Sequence, residues 1–309
     1  MNNKKILLLI IILAISACVS SGDKSGQKKK EPEIDNGIIP QRIKQPVLVE
    51  EDFLPGEHEF EPDPRVTLFD SDQIDSKQDT PHGPVLSKAE ILYNKGAILL
   101  RKGKYDEAET KFRAALESYP GYENAIGSLA LIFRLRGEYQ NAIDYYNKLL
   151  ELSPENYFGL QNLAAVYLLN RNYPEAEAVY RKMQLLNPAN PEAYYGIGRV
   201  NIYLKNYNKA LEALLESEKL YGLSNSSHLK DTYFLAGFCY YEQDDYENAL
   251  IYFLQAYPFR ADSPELNYYI GISYLSRQEK DTQNAREYLS KAREYGFNIP
   301  DKVYKLLDF

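Results

Sequence analysis

The chain has 309 residues, with 36 Lys and Arg against 44 Asp and Glu, for a formal net charge of −8. That length suits two ordinary domains or one long array, and the acidic balance argues against a nucleic-acid partner, which needs a basic stripe for phosphate. Two cysteines and three histidines exclude a disulfide-stapled scaffold and leave little with which to build a metal centre. The aromatic residues are unevenly placed: there are 28 Tyr, 12 Phe and no Trp, and no tyrosine precedes Tyr93. Two chemically different segments are joined in one chain.

Residues 1–17 read as a signal peptide. Lys4 and Lys5 form a basic head, and Ile6 to Ile15 is an apolar run of ten residues. About twenty are needed to cross a bilayer, so the run has the length of a signal-peptide core. It ends in Ile15-Ser16-Ala17-Cys18, which resembles the lipobox of bacterial lipoproteins, with isoleucine where leucine is commoner. The resemblance implies a diacylglycerol on the Cys18 thiol, cleavage of the preceding peptide bond, and anchoring by two or three acyl chains such as palmitate, where a single chain would hold only marginally. Val19, standing where aspartate would retain a lipoprotein at the inner membrane, implies the outer membrane. The alternative is an ordinary cleaved signal with an incidental cysteine.

Residues 18–86 carry the lipidated cysteine and an expected disordered tether. From Val19 to Leu86 there are eight of the sixteen prolines and no tyrosine, and from Glu31 to Leu86 there are 14 acidic against 4 basic residues. Low hydrophobicity with net charge disfavours a packed core, and the prolines break any long helix. Lys28, Lys29 and Lys30 sit near the anchor, where anionic headgroups would meet them. The first reading is a solvated linker. Two short apolar stretches, Pro46 to Val49 and Arg65 to Phe69, are candidates for docking on the downstream domain or on a partner.

Residues 87–299 repeat. Tyr105, Tyr139, Tyr173 and Tyr207 are 34 residues apart, and Tyr246 follows after 39. An alanine comes three residues after each: Ala108, Ala142, Ala176, Ala210 and Ala249; a sixth copy keeps Ala285. Each unit contains two apolar patterns at helical spacing, as in Ile126, Leu129, Ala130 and Phe133, then Ala142, Ile143, Tyr146 and Leu149. Small residues on the first helix (Gly96, Ala130, Ala164, Gly198, Gly237, Gly271) match large ones on the second (Phe112, Tyr146, Tyr180, Leu214, Phe253, Leu289), which predicts close helix pairs. Pro120, Pro154 and Pro188 end units. Residues 300–309 read as a capping helix over the last unit.

These units resemble tetratricopeptide repeats, on Gly96, Leu99, Tyr105, Ala108, Phe112, Ala115 and Pro120 in the first. The resemblance implies an all-α fold, a right-handed superhelical solenoid of six helix–turn–helix units. Two departures stand out. Five extra residues near Gly222 to Ser227 separate the fourth and fifth units, and Asn201 occupies a position that wants a large apolar side chain. Together they suggest a hinge or a widened groove there.

Little in the sequence is catalytic. There is no GxSxG, Gly-rich phosphate loop or HExxH, the histidines are scattered, and Cys239 reads as a packed free thiol. The expectation is a non-enzyme with no cofactor and no metal. In the repeat family the first helices line a concave face that holds a protein or peptide. Mapped here, that face presents Tyr93, Arg134, Phe158, Tyr195, Arg199, Tyr203, Phe234, Phe238, Tyr241 and Tyr268 as partner-binding candidates. The family's carboxylate clamp is absent, because Tyr93 and Ala97 take its first two places. Aromatic anchors suit a binding groove, but the same rings could be core, packed on neighbouring helices or on the tether. The expected role is a lipid-anchored assembly adaptor of the bacterial envelope. The alternative is a lipoprotein handing a small apolar ligand to a transporter. Oligomeric state is left open.

Overall fold

A computed structural model of the chain describes residues 88–224 and 228–307. The expected signal peptide, Cys18 and the tether lie outside the described residues. Within them the regular structure is entirely helical. The helices come in pairs joined by short turns: α1 (Lys88–Arg101) with α2 (Tyr105–Ser118), α3 (Glu123–Leu135) with α4 (Tyr139–Leu152), and α5 (Tyr157–Leu169) with α6 (Tyr173–Leu186). Then come α7 (Pro191–Tyr203) with α8 (Tyr207–Ser224), α9 (Leu229–Glu242) with α10 (Tyr246–Ala256), and α11 (Pro264–Ser276) with α12 (Thr282–Glu294). A 3-10 turn, Tyr257–Phe259, follows α10, and α13 (Asp301–Leu306) comes last.

Each of the five spaced tyrosines opens a second helix, and the turn before it is built the same way five times. In the first, the Lys104 amide donates to the Leu99 carbonyl (3.0 Å) around Gly103, whose φ is +71°. In the second, Glu138 donates to Phe133 (2.8 Å) around Gly137 at +74°. A six-to-one bond closing over a left-handed residue satisfies the carbonyls that a helix leaves open at its end. The next three turns hold Arg171, Lys205 and Asp244 at +58°, +59° and +62°. The same bonds close over them, from Asn172 to Tyr167, Asn206 to Asn201 and Asp245 to Tyr240. Unit ends are equally regular: Pro120, Pro154 and Pro188 each fall two residues past a second helix.

The small-to-large pairing inside each unit is a matter of space. A Cβ added at Gly96 would stand 2.7 Å from the Phe112 ring, and one at Gly237 2.7 Å from the Phe253 ring. The rings fill the room that the missing side chains leave, and Phe112, Tyr146, Leu214 and Phe253 are completely buried. Each such burial contributes roughly 1.5–3 kcal/mol. First helices of neighbouring units also touch (α1 with α3, α3 with α5, α7 with α9, α9 with α11), while contacts between second helices are sparser. The first helices therefore form the closer, inner row.

The fourth unit departs from the expectation of a hinge. The extra residues prolong α8 to 18 residues, about one turn more than the 14 of α2, α4 and α6. The added turn brings Tyr221 into the core, where its hydroxyl donates to Glu192 (2.5 Å) and its ring stacks on His228. Residues 225–227 lie outside the described residues. Asn201, wholly buried, is not a defect either. Its amide donates to the Ile197 carbonyl (2.9 Å), and its side-chain oxygen accepts from Asn206 (3.4 Å), so the polar group is satisfied while bracing the following turn. At the end of the chain, Val303 and Leu307 are buried and Arg286 donates to the Leu307 carbonyl.

Candidate protein-interaction face

The ten candidate residues all fall on the first helices, spread along the inner row. Their exposure divides them. Tyr93, Tyr195, Phe234, Phe238 and Tyr268 are buried, at 5, 6, 1, 6 and 2% exposure. Arg199 is buried too, at 4%. Arg134, Phe158, Tyr203 and Tyr241 are half-buried.

The buried rings are held by other rings. Tyr93 tilts against Phe112 (5.4 Å between centroids) and meets Tyr122 edge-on at 5.3 Å. Tyr268 stacks on Phe297 at 4.3 Å. Phe234 packs on Phe253 and carries the Arg260 guanidinium over its face at 5.1 Å, with Arg260 also paired to Asp231 at 3.4 Å. Edge-to-face and offset contacts of this kind are worth roughly 0.5–1.5 kcal/mol beyond the area they bury. These five side chains therefore cement the array, the second of the two readings their residue types allow.

Three candidates converge at one point. Phe238 and Tyr241 meet Tyr269 edge-on at 5.7 and 5.0 Å, and Phe234 does so at 6.0 Å. Tyr269 also stacks on Phe253 at 5.5 Å and touches Tyr268. It is the hub that joins the fifth unit to the sixth, and it is absent from the sequence-derived candidates. The adjacent Tyr268-Tyr269 pair was the available signal, since consecutive helix positions face different neighbours. Burial raises the Tyr268 hydroxyl to about 12. Burial, and then Tyr268 and Tyr246, push the Tyr241 hydroxyl far above its ordinary value.

A second cluster gathers on α7. The Arg199 guanidinium lies over the Tyr195 ring at 5.5 Å, and Tyr195 meets Tyr221 edge-on at 6.3 Å and His228 at 6.5 Å. One turn on, Tyr203 lies flat on Tyr173 at 5.0 Å, with 3° between the planes. Phe158 packs on the core of the first two units. What the inner row offers a partner is thus sparser than the sequence suggests: the half-buried rings of Phe158, Tyr203 and Tyr241, with arginine charge at half-buried Arg134.

Elsewhere, a cleft of about 550 Å³ lies between α4, α5 and α6, with Leu150, Leu163 and Val179 in its wall and Glu151, Glu175 and Lys182 among its lining residues. None of the ten candidates lines it. Cys239 is buried, and burial pushes its thiol up, the opposite of what a nucleophile requires. Among the described residues, no three His, Cys, Asp or Glu side chains are grouped to hold a metal ion, and no helix is long and apolar enough to cross a membrane.

Comparison with known proteins bears on the repeats. Tetratricopeptide-repeat family models match residues 85–123, 93–157 and 231–258, and the model of anaphase-promoting complex subunit 3 matches residues 135–217. No curated protein sequence matches the chain. Among solved structures, MamA from Desulfovibrio magneticus is similar at 22% identity over 57% of this chain and 97% of its own, with a TM-score of 0.52. YrrB, described as a tetratricopeptide-repeat protein with an unusual peptide-binding site, is 21% identical over 63% of this chain and 95% of its own, with a TM-score of 0.50. The apo form of RapI is 18% identical over 68% of this chain and 83% of its own, with a TM-score of 0.55. At such identities the likeness is one of fold. The family matches, the paired helices and the recurring turn together establish that this chain carries tetratricopeptide repeats.

Proposed function

We propose that the protein is a lipid-anchored adaptor of the bacterial cell envelope, which binds a protein or peptide segment along the row of first helices and has no reaction of its own. The observation that carries the reading is the row itself. Successive first helices present half-buried rings and arginine charge at Arg134, Phe158, Tyr203 and Tyr241, the kinds of side chain on which binding energy concentrates. A segment crossing several units would gather small contributions from each. YrrB, a protein of the same fold with a peptide-binding site, supports the reading. The anchor rests on Ile15-Ser16-Ala17-Cys18 behind a basic head and an apolar run.

Phe234 and Phe238 make poor probes, because truncating a buried ring costs about 3–5 kcal/mol of stability. Tyr203 and Tyr241 are better. A photo-crosslinking residue at either position should give adducts to a partner in living cells. The same residue at Leu185, 81% exposed on the second helix α6, should not. Equal labelling from Leu185 would show that the row has no special role. For the anchor, Cys18→Ser should move the protein out of the detergent-rich phase in a partition assay; an unchanged distribution would count against lipidation.

A further inference from the structure

We propose that the cleft between α4, α5 and α6 is a second binding site, on the side of the second helices, for a partner's segment that presents an aromatic ring beside a basic side chain. It is independent of the inner row.

The repeat itself shows what belongs at that place. Each first helix carries a side chain three residues after its small residue, and each second helix one three residues after its alanine. In the second, fifth and sixth units both are rings: Phe133 with Tyr145, Tyr240 with Tyr252, and Tyr274 with Tyr288, at 5.3, 5.4 and 5.9 Å between centroids. The preceding unit touches each pair. Arg113 of α2 donates to the Tyr145 hydroxyl, the Tyr252 hydroxyl donates to Glu218 of α8, and Tyr257, just past α10, meets Tyr288 edge-on. The ring pair thus closes the groove between one second helix and the next.

The third unit has half of the pair. Half-buried Tyr167 takes the first place, but Val179 takes the second. Asn147 of α4 stands in the register of Arg113. Among the described residues Tyr167 meets no other ring. These smaller side chains leave the cleft of about 550 Å³, with Leu160 and Leu163 of α5 among its lining, a volume in the range of ligand pockets. A ring entering there would meet Tyr167 as Tyr145 meets Phe133. The fourth unit has Asn201 and Ala213 at the two places and so offers no ring to stack on.

Charge selects among the rings. Two of the closed grooves carry a cation over a ring: Arg113 over Phe133 at 5.9 Å and Lys291 over Tyr288 at 4.9 Å. A glutamate holds each cation, Glu109 for Arg113 and Glu287 for Lys291. The cleft has glutamates as well, Glu151 and Glu175, with one cation, Lys182, among its lining residues. Both glutamates are exposed, and among the described residues neither accepts a hydrogen bond nor pairs with a cation. An Arg or Lys next to the entering ring would complete the arrangement of ring, cation and carboxylate. The phenylalanines that precede α1 are flanked by acids, in Asp52-Phe53, Glu59-Phe60-Glu61 and Phe69-Asp70, the wrong sign for this rim.

The test uses the full chain in detergent and short dye-labelled peptides with Arg-Phe-Arg, Arg-Leu-Arg or Glu-Phe-Glu at the centre, titrated by fluorescence anisotropy. Arg-Phe-Arg should bind several-fold more tightly than Arg-Leu-Arg, and about ten-fold or more above Glu-Phe-Glu. Val179→Tyr supplies the second ring from within, and should cut the affinity for Arg-Phe-Arg about ten-fold with helicity and thermal midpoint no lower. Should that variant fold poorly, Glu151→Gln with Glu175→Gln alters two exposed side chains and keeps the fold. It should cut the affinity several-fold and flatten its dependence on salt. No measurable binding of Arg-Phe-Arg, equal binding of Glu-Phe-Glu, or full affinity in the folded variants would overturn the proposal. Full affinity in those variants, together with capture of the peptide by a photo-crosslinking residue at Tyr203, would place it on the inner row and leave that reading standing. A dimer that forms with rising concentration and is abolished by Val179→Tyr would give the cleft to a second copy, and overturn the proposal too.

Discussion

At residue scale, the turns show where local chemistry and backbone demand disagree. The left-handed position before each second helix is glycine in the first two units but Arg171, Lys205 and Asp244 in the next three. A side-chain-bearing residue in that region carries a penalty of about 1–2 kcal/mol, less for aspartate, whose short side chain can bond locally. Asp244 indeed accepts a hydrogen bond from the Tyr246 hydroxyl at 2.9 Å. Lys205→Gly should therefore stabilise the array by up to about 1 kcal/mol after the entropy of the unfolded glycine is counted, seen as a higher urea midpoint. Asp244→Gly should gain less. A lower midpoint for Lys205→Gly would show that its side chain contributes more than the backbone strain costs. The same positions show what the sequence could reveal. Gly103 and Gly137 advertise the turn; Arg171 and Lys205 do not, and only the 34-residue register exposes them.

At the scale of the element, a helix pair is defined by what its small residues admit. The tightest place is between units: a Cβ at Gly196 would lie 2.2 Å from the Tyr180 ring. Gly196→Ala should cost about 1–3 kcal/mol through overpacking, measurable as an earlier thermal transition. Gly222, with nothing within reach of a Cβ, serves as a control. A Gly196→Ala protein as stable as its parent would mean that α6 and α7 can part without loss. The helices and their pairing were legible because a 3.6-residue period and a repeated small-to-large match are properties of one unit alone. The face was legible only in part. Periodicity puts Phe234 and Tyr268 on the first helices, but whether such a position is open depends on the neighbouring elements. Tyr269 from the next unit and Phe297 beyond α12 close over them. The extra turn of α8 is not legible in the sequence for a related reason: Gly222 and the serines after it look like a loop, yet buried Tyr221 carries the helix forward.

At the scale of the whole described array, the tyrosines make alkali the natural denaturant. Burial raises Tyr122 and Tyr268 to about 12 and pushes Tyr241 and Tyr269 well above the ordinary value, whereas an unfolded tyrosine titrates near 10. The folded state favours the neutral phenol. The stability these groups contribute is thus fully present below about pH 10 and is lost as pH rises through the folded values. Helicity followed by circular dichroism should hold to about pH 10 and fall as pH approaches 12, together with tyrosinate absorbance. Full helicity with all tyrosines ionised would contradict the burial described above.

The pattern of helix contacts has one more consequence. Successive described helices of the repeats pack on one another and most first helices also touch the next one in the row; among the described residues, no such contact joins the first unit to the sixth. Such a chain has no keystone. Cooperative loss of structure spreads only as far as nearest-neighbour coupling carries it, so amide hydrogens should exchange fastest in the outermost helices and slowest in the middle. A partner that grips several units at once would flatten that gradient, acting as a splint on a structure that otherwise frays from its ends.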